Sequence, residues 1–478
     1  GNGANHLVLI KSGSAVNSNP IDGIQYTAIN SFGAGSEIGT GNYAIYSGSS
    51  NTVIVNGLQP NTAYYVAVYD YNGSGGTESY LTTSPAAGNR TTLNAPVGWQ
   101  IYNTNVTNAI TFDTTVDGVN EGTYQSEGMS PTLTNGELNS NAGAITGFSD
   151  GAIAFGGTST DDQDYDRGTA TGGVTVGGVY AFDTATNNFA LGIQPAAGDF
   201  VPGSATLRFQ NQTGATVTSV SIGYKVYVYN DQAASSSFNF SHSADNSNYT
   251  GVSGLNVTSP AAADASPQWK AYYRVVTLTG LNIANNNYYY FRWTGATVSG
   301  TTDFDEFGLD DIVMVANPST NYASFNGTAE NFVVLGNTTL SGSTAVTSDL
   351  TLNGGKVDIN GKTLTLNGTV TNTTSGGLKG SASSNLTISG AVSPSLSFDQ
   401  TTFGTTNLLN NLSINTTASN TVTILNPVVV NGTLTTALGQ TLNMGTNALT
   451  GTLTAIANSG TIATQNTTSL PIPSGKTW

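Results

Sequence analysis

The chain has 478 residues, 58 of them Gly, 12 Lys or Arg, 28 Asp or Glu and none Cys, so it carries a net charge of −16 on only 8% charged residues. The lack of Cys excludes a disulfide-stapled scaffold and a thiolate zinc site, and the acidic balance excludes nucleic-acid recognition through a basic patch. No apolar run reaches the roughly 18 residues of a membrane span, while an apolar content of 38% is too high for simple disorder and points to an all-β chain with a largely uncharged surface.

The charge is unevenly placed. Residues 1–94 hold four acids and two bases, residues 95–318 twenty and six, and residues 319–478 four and four, for net charges of −2, −14 and 0. Pro96 and Pro318 favour extended linkers at the two transitions. Three domains are therefore expected: 1–94, 95–318 and 319–478.

In the first segment His6 to Lys11, Tyr43 to Tyr46, Thr52 to Val55 and Ala63 to Tyr69 alternate or cluster β-branched and aromatic residues between Gly, Asn and Pro, which predicts an antiparallel sandwich. The stretch GLQPNTAYYVAVYDYN resembles the strand E to strand F corner of fibronectin type III domains, with Leu58, Pro60 and Tyr64 at the spacing of the tyrosine corner. Tyr64, Tyr65, Tyr69 and Tyr71 are read as core and corner packing. Room for only five strands implies a fibronectin type III-like sandwich lacking its first strands, and a chain cut from a longer polypeptide.

The middle segment predicts strands at Ile110 to Phe112, Ile153 to Phe155, Tyr180 to Phe182, Ala205 to Gln210, Val217 to Tyr229, Ser237 to Ser243, Tyr272 to Leu278, Tyr288 to Trp293 and Gly308 to Val315. That number suits a two-sheet jelly roll. The closing FDEFGLDDIVM resembles the last strand of concanavalin-like and MAM-type jelly rolls, and longer stretches such as YDRGTATGGVTVGGVYAFD are similar to a jelly-roll module of exported Bacteroidota surface proteins. Two acidic clusters stand out: Asp161, Asp162, Asp164 and Asp166, and Asp303, Asp305, Glu306, Asp310 and Asp311. Carboxylates on loops suit a structural Ca²⁺, with Asp161, Asp162, Asp164, Asp303, Asp305, Asp310 and Asp311 as candidate ligands. The alternative is a solvated loop with Arg167 or Arg292 as counter-ion. No glycosidase pair or GxSxG elbow can be picked out, and His6 and His242 read as ordinary strand residues. Trp99, Trp269, Trp293, Tyr272, Tyr273 and Tyr288 to Tyr290 could stack sugar rings, but alternation sends at least half of YYYFRW inward. Asp183-Thr184-Ala185 resembles the O-glycosylation site of exported Bacteroidota proteins, with Thr184 as acceptor, and Thr114 is a looser fit.

The third segment repeats. DLTLNG at 349–354 returns as TLTLNG at 363–368, NLTISG at 385–390 as NLSINT at 411–416, and GTLTTA at 432–437 as GTLTAI at 451–456. Short strands that bury one face close a core by stacking in coils of roughly 20 to 25 residues, which predicts a β-solenoid with Asn and Thr ladders along its axis. The segment resembles the solenoid repeats of large Bacteroidota surface and adhesin proteins, and TQNTTSLPIPSGKTW looks like the opening of a further unit. Together the resemblances imply a non-catalytic segment of an exported adhesin or filament-like protein at the outer cell surface or outside the cell, carried by type IX secretion. Its partners would be surface glycans, another protein or the secretion machinery. The rival readings are a carbohydrate-binding accessory region of an exported enzyme, and a fibre subunit completed by a neighbour's strands.

Overall fold

The computed structural model describes residues 3–59, 62–92, 98–159, 163–373, 375–416 and 419–467. Among the described residues every regular element is a β-strand, apart from one 3-10 turn at Ser253–Leu255. The chain divides into two compact units, Gly1–Pro96 and Val97–Trp478. Composition changes near Pro96 and again near Pro318, and residues 97–478 cluster as one unit across the second of these changes.

In the first unit Asn5–Ser12 pairs antiparallel with Tyr43–Gly48 and with Ala63–Asn72, which also carries Ser79–Tyr80 and Ala86–Thr91. Five strands form a single sheet. Alternation sends Leu7, Leu9, Ala67 and Tyr69 to one face and Ile10, Ile45 and Tyr64 to the other, and each face has its own apolar cluster. Residues 52–55, read as a strand, form none, but Val53 and Val55 pack on the Tyr64 side. The Gln59 amide donates to the Tyr64 hydroxyl at 2.9 Å, the bond a tyrosine corner requires, while Pro60 lies outside the described residues.

The second unit starts as two facing sheets. One runs Gly151–Ile153, Gly143–Phe148, Gly203–Asn211, Tyr288–Ser299, Ser235–Ser243 and Thr250–Gly251. The other places Glu306–Ala316 between Asn188–Gln194 and Val217–Tyr229, and continues to Trp269–Ile283. Between them lie the rings of Tyr224, Phe238, Phe240, Phe291, Trp293 and Phe307, all nearly inaccessible. All nine strand positions expected in the middle segment overlap observed strands, although those at 110–112 and 153–155 each end two residues early.

The second sheet does not stop at residue 318. Tyr272–Val276 pairs in parallel with Asn331–Leu335, and Ser324–Leu335 pairs in parallel with Thr338–Leu352, so the sandwich runs directly into a stack of coils. On its outer face Ala271, Tyr273, Val275 and Val313 join Ala323, Phe325 and Phe332 in one apolar cluster that extends to Leu453. The first coil therefore closes its end against the sandwich, which removes the exposed terminal layer that stacked coils must otherwise cover. Further on, Leu364, Leu386, Leu412, Leu434 and Ile456 follow one another in parallel register. Beside them the Asn411 side-chain amide donates to Asn385 Oδ1 at 2.8 Å, and Asn411 Oδ1 accepts from the Thr433 backbone N–H at 2.8 Å, so one Asn side chain links three successive coils.

Only one of the three repeated phrases is in register. NLTI at 385–388 stacks on NLSI at 411–414, whereas Leu350 pairs with Val370 and not with Leu364, and Thr433 pairs with Ala455 and not with Thr452. Any apolar-polar-apolar triplet fits any side of a coil, so wording alone does not set which triplets meet.

Candidate functional site

The outer face of the sheet containing Tyr288–Ser299 is where exposed aromatic and polar groups converge. Alternation buries Tyr289, Phe291 and Trp293 and turns Tyr288, Tyr290, Arg292 and Thr294 outward, each half-buried. Register then fixes their neighbours. Gln210 faces Tyr288, Arg208 faces Tyr290, and Thr206 faces Arg292 from one side, while Ser243, Ser241 and Asn239 flank Tyr290, Arg292 and Thr294 from the other. The Arg208 guanidinium lies 4.0 Å from the Phe155 ring centre and 4.3 Å from that of Tyr288, and its Nε donates to the Asn141 carbonyl at 2.7 Å. Phe155 also meets Tyr290, with ring centres 5.8 Å apart. Arg292 covers Tyr249 at 3.6 Å and donates to Thr206 Oγ1 at 3.0 Å and Asn246 Oδ1 at 3.2 Å. The loop carrying Tyr249 is fixed by Asp245, whose carboxylate accepts from the Ser247 and Asn248 amides and is held well below the usual range by those bonds. Gln100 Nε2 donates to Gln210 Oε1 at 3.0 Å, extending the polar border towards Tyr102, which is 48% exposed.

Such stacked pairs keep flat rings and a planar cation in fixed orientations, at little further entropy cost when a ligand settles on them. Hydroxyl and amide groups around them offer donors and acceptors of both kinds. The YYYFRW alternation made Tyr288, Tyr290 and Arg292 legible in sequence. Phe155, Arg208 and Tyr249 were not, because they arrive from a turn, another strand and a loop.

The remaining aromatic candidates separate by face. Trp99, Trp293, Tyr273 and Tyr289 are core residues, while Tyr272 and Trp269 are partly exposed on the other sheet, where the Trp269 indole donates to the Thr171 carbonyl at 2.9 Å. Neither histidine joins the platform: His6 faces Asp70 across the strand pair at 2.7 Å, and His242 bonds the Tyr289 hydroxyl at 2.6 Å. Thr114 is exposed, and Thr184 is half-buried, its hydroxyl taking a bond from Asn188 Nδ2 at 2.8 Å.

In the two acidic clusters Asp164, Asp305, Glu306, Asp310 and Asp311 each have their own polar partners. Asp161 and Asp162 lie outside the described residues. Asp164 is buried, accepting from Arg167 Nη2 at 2.8 Å, Ser149 Oγ at 3.0 Å and the Asp150 amide at 2.9 Å, so Arg167 is its counter-ion. Asp303 is half-buried, and Asp305 accepts from the Gln232 amide at 2.9 Å. Asp310 takes the Asn188 amide at 2.9 Å, and Asp311 pairs with Lys225 at 2.6 Å. Arg292, the other counter-ion considered, stacks on Tyr249 instead. Among the described residues no group of three His, Cys, Asp or Glu stands where it could hold a metal ion. Glu306, unremarked as a site residue in sequence, is fully buried: its Oε1 accepts from the Gly173 and Val174 amides at 2.5 and 2.8 Å, while its Oε2 and Asp231 Oδ1 have no partner. Burial first, then Asp231, pushes Glu306 up to about 8 and Asp305 up to about 6.

On the coils, four of the eight charged residues of the third segment, Lys356, Asp358, Lys379 and Asp399, line one open cleft of about 380 Å³ with Tyr322 and several Thr. They are paired as Lys356–Asp399 and Lys379–Asp358, both at 2.6 Å. Mutual pairing leaves this cleft less free to recognise a charged ligand than the aromatic platform is to take a neutral one. Among the described residues no helix is long and apolar enough to cross a membrane.

Compared by sequence, no family model and no curated protein matches the chain. Compared by structure, it is similar to the K3 cleaved adhesin domain of Lys-gingipain from Porphyromonas gingivalis, at 18% identity over 28% of this chain and 77% of that one, with a TM-score of 0.19. A carbohydrate-binding module of the β-sandwich superfamily aligns at 10% identity over 65% of this chain and 85% of that one, also at 0.19. The infectious bursal disease virus Gx strain structure aligns at 7% identity over 67% and 57%, at 0.16.

Proposed function

We propose that the chain is a non-catalytic binding segment of an exported surface protein, and that the outer sheet face around Tyr288 and Tyr290 takes neutral glycans. The observation that carries this reading is the Phe155–Arg208–Tyr288 stack beside Tyr290 on an otherwise polar face. A pyranose presents one face of C–H groups and a rim of hydroxyls. It needs a flat, half-exposed ring beside mixed donors and acceptors, which Tyr290 and Tyr288 with Gln210 and Arg208 supply. Adhesion at the cell surface is the role that fits such a site, with the coils giving reach and rigidity to the platform.

The test is a glycan array followed by affinity electrophoresis in soluble polysaccharides. Saturable retention by at least one neutral glycan is expected, weakened at least tenfold by Tyr290→Ala, since truncating an aromatic at the centre of an interface commonly costs about 2 kcal/mol. Arg208→Ala, which frees Phe155 and Tyr288 to reorient, should weaken it in the same direction. No retention by any glycan, or retention indifferent to both changes, would remove this reading.

A further inference from the structure

Lys225 and Asp311 form an ion pair at 2.6 Å between two central, neighbouring strands, and its setting differs from that of the other described ion pairs. The Lys225 side chain is only 9% exposed. It points out of the sandwich core and is roofed by the Tyr273 ring, 5.0 Å from its Nζ, and Tyr273 is in turn packed under Phe325 and Phe332 of the first coil. Lys356, Lys270 and Lys379, by contrast, keep a third or more of their side chains in water.

The strand geometry is built to bring the two groups together. Register between Val217–Tyr229 and Glu306–Ala316 shifts by one residue between Gly223, which faces Val313, and Lys225, which faces Asp310, so Asp311 and Ile312 bulge opposite Tyr224, next to the lysine. Asp311 sits there with a φ of +46°, a left-handed conformation that costs a residue with a Cβ of order 1 kcal/mol and persists only where the surroundings enforce it. Beside it Asp310 is fully buried, accepting from the Asp311 amide at 2.6 Å and from Asn188 Nδ2 at 2.9 Å. An amine, a carboxylate it already touches and a second, desolvated carboxyl next to both are the components for condensation.

We infer that Lys225 and Asp311 join as an intramolecular amide that ties the two strands covalently. The reaction needs no co-reactant. One ammonium proton passes to the Asp311 carboxylate, the freed Nζ attacks Cγ, and the Cγ–Nζ bond forms. A second nitrogen proton then goes to the departing oxygen, the Cγ–O bond breaks, and one water leaves with both protons. The opposite charges cancel, and Asp310 is the group placed to relay the protons, since burial and the adjoining Asp311 charge hold it well above the usual carboxylate range and so keep it neutral. Two effects favour the product. Fixed contact replaces a bimolecular encounter, with effective molarities of about 10⁵–10⁸ M for well-oriented groups, and a largely desolvated ammonium, which is costly to bury, gives way to a neutral amide.

Intact-mass spectrometry of the purified, fully folded chain decides the matter. The expected mass is that of the sequence less one water, with a single branched proteolytic peptide joining Lys225 to Asp311. Lys225→Arg should have its full sequence mass. A wild-type mass equal to the sequence overturns the inference. So does a missing water that Lys225→Arg also lacks, because dehydration would then lie elsewhere in the chain.

Discussion

Phe325→Ala is expected to cost the second unit about 3–5 kcal/mol, the range for deleting a buried aromatic side chain, and to expose the coils to proteolysis before the sandwich. Phe325 is 2% exposed and fills the junction between them, with ring centres 5.1 Å from Tyr273 and 5.4 Å from Phe332. The opposite wall is Gly223, whose hypothetical Cβ would stand 2.7 Å from Phe325 Cζ and 2.8 Å from Ala323 Cβ. Gly223→Val should therefore fail by overpacking, at about 1–3 kcal/mol, while Gly214→Val, where an added Cβ meets nothing, carries only the backbone strain of its own φ of +75° and does not disturb the junction. Urea unfolding of residues 97–478 with limited proteolysis checks both. Because the parallel pairing of Tyr272–Val276 with Asn331–Leu335 makes one sheet of the two regions, the wild type should unfold in a single transition. Two resolved transitions in the wild type, or a Phe325→Ala variant as stable as its parent, would mean that the coils close their end without the sandwich.

This junction also marks the limit of what the sequence disclosed. Period-2 patterning found the long strands because they bury one face each, as in Val217–Tyr229 and Tyr288–Ser299. Composition found the change at residue 318, yet that change is one of charge and not of packing: the acidic residues stop, while Tyr273 and Val275 go on to share a core with Phe325. A pairing between residues some sixty positions apart leaves no local trace. Coil register was hidden for a related reason. Corners, not phrases, decide which triplets stack, so NLTI met NLSI while DLTLNG passed over TLTLNG. At the candidate platform, three of the six principal residues lay in one strand and could be read by alternation, whereas Phe155, Arg208 and Tyr249 are brought there by tertiary contacts. The acidic runs were visible as composition only. Burial separated them into Asp164, satisfied by Arg167, and Glu306, satisfied by two amides on one oxygen and by nothing on the other.

That half-satisfied carboxyl makes stability fall as pH rises. Glu306 goes from an ordinary value of 4.5 to about 8 in the folded chain, so between those limits the folded state holds a proton that the unfolded state has released. Stability is then lost with rising pH, at up to about 1.4 kcal/mol per pH unit from this group. Asp305, raised from 3.8 to about 6, acts in the same direction at the lower end, as do Asp113 and Asp310. His242 opposes them, because burial lowers it and its neutral folded form favours higher pH, but its contribution ends near pH 6.5. The carboxylates lowered by hydrogen bonds or lysines, Asp245, Asp264 and Asp399, lose their stabilising effect only in more acidic solution. Melting temperature should thus decline from pH 5 to pH 8. Glu306→Gln should flatten that decline and raise the melting temperature at pH 8, since its amide oxygen can keep the Gly173 and Val174 bonds while its N–H groups gain Asp231 as a neighbour. A wild-type melt that is level across this range, or a variant with the same slope as its parent, would show that the buried carboxyl is ionised and compensated in the folded chain.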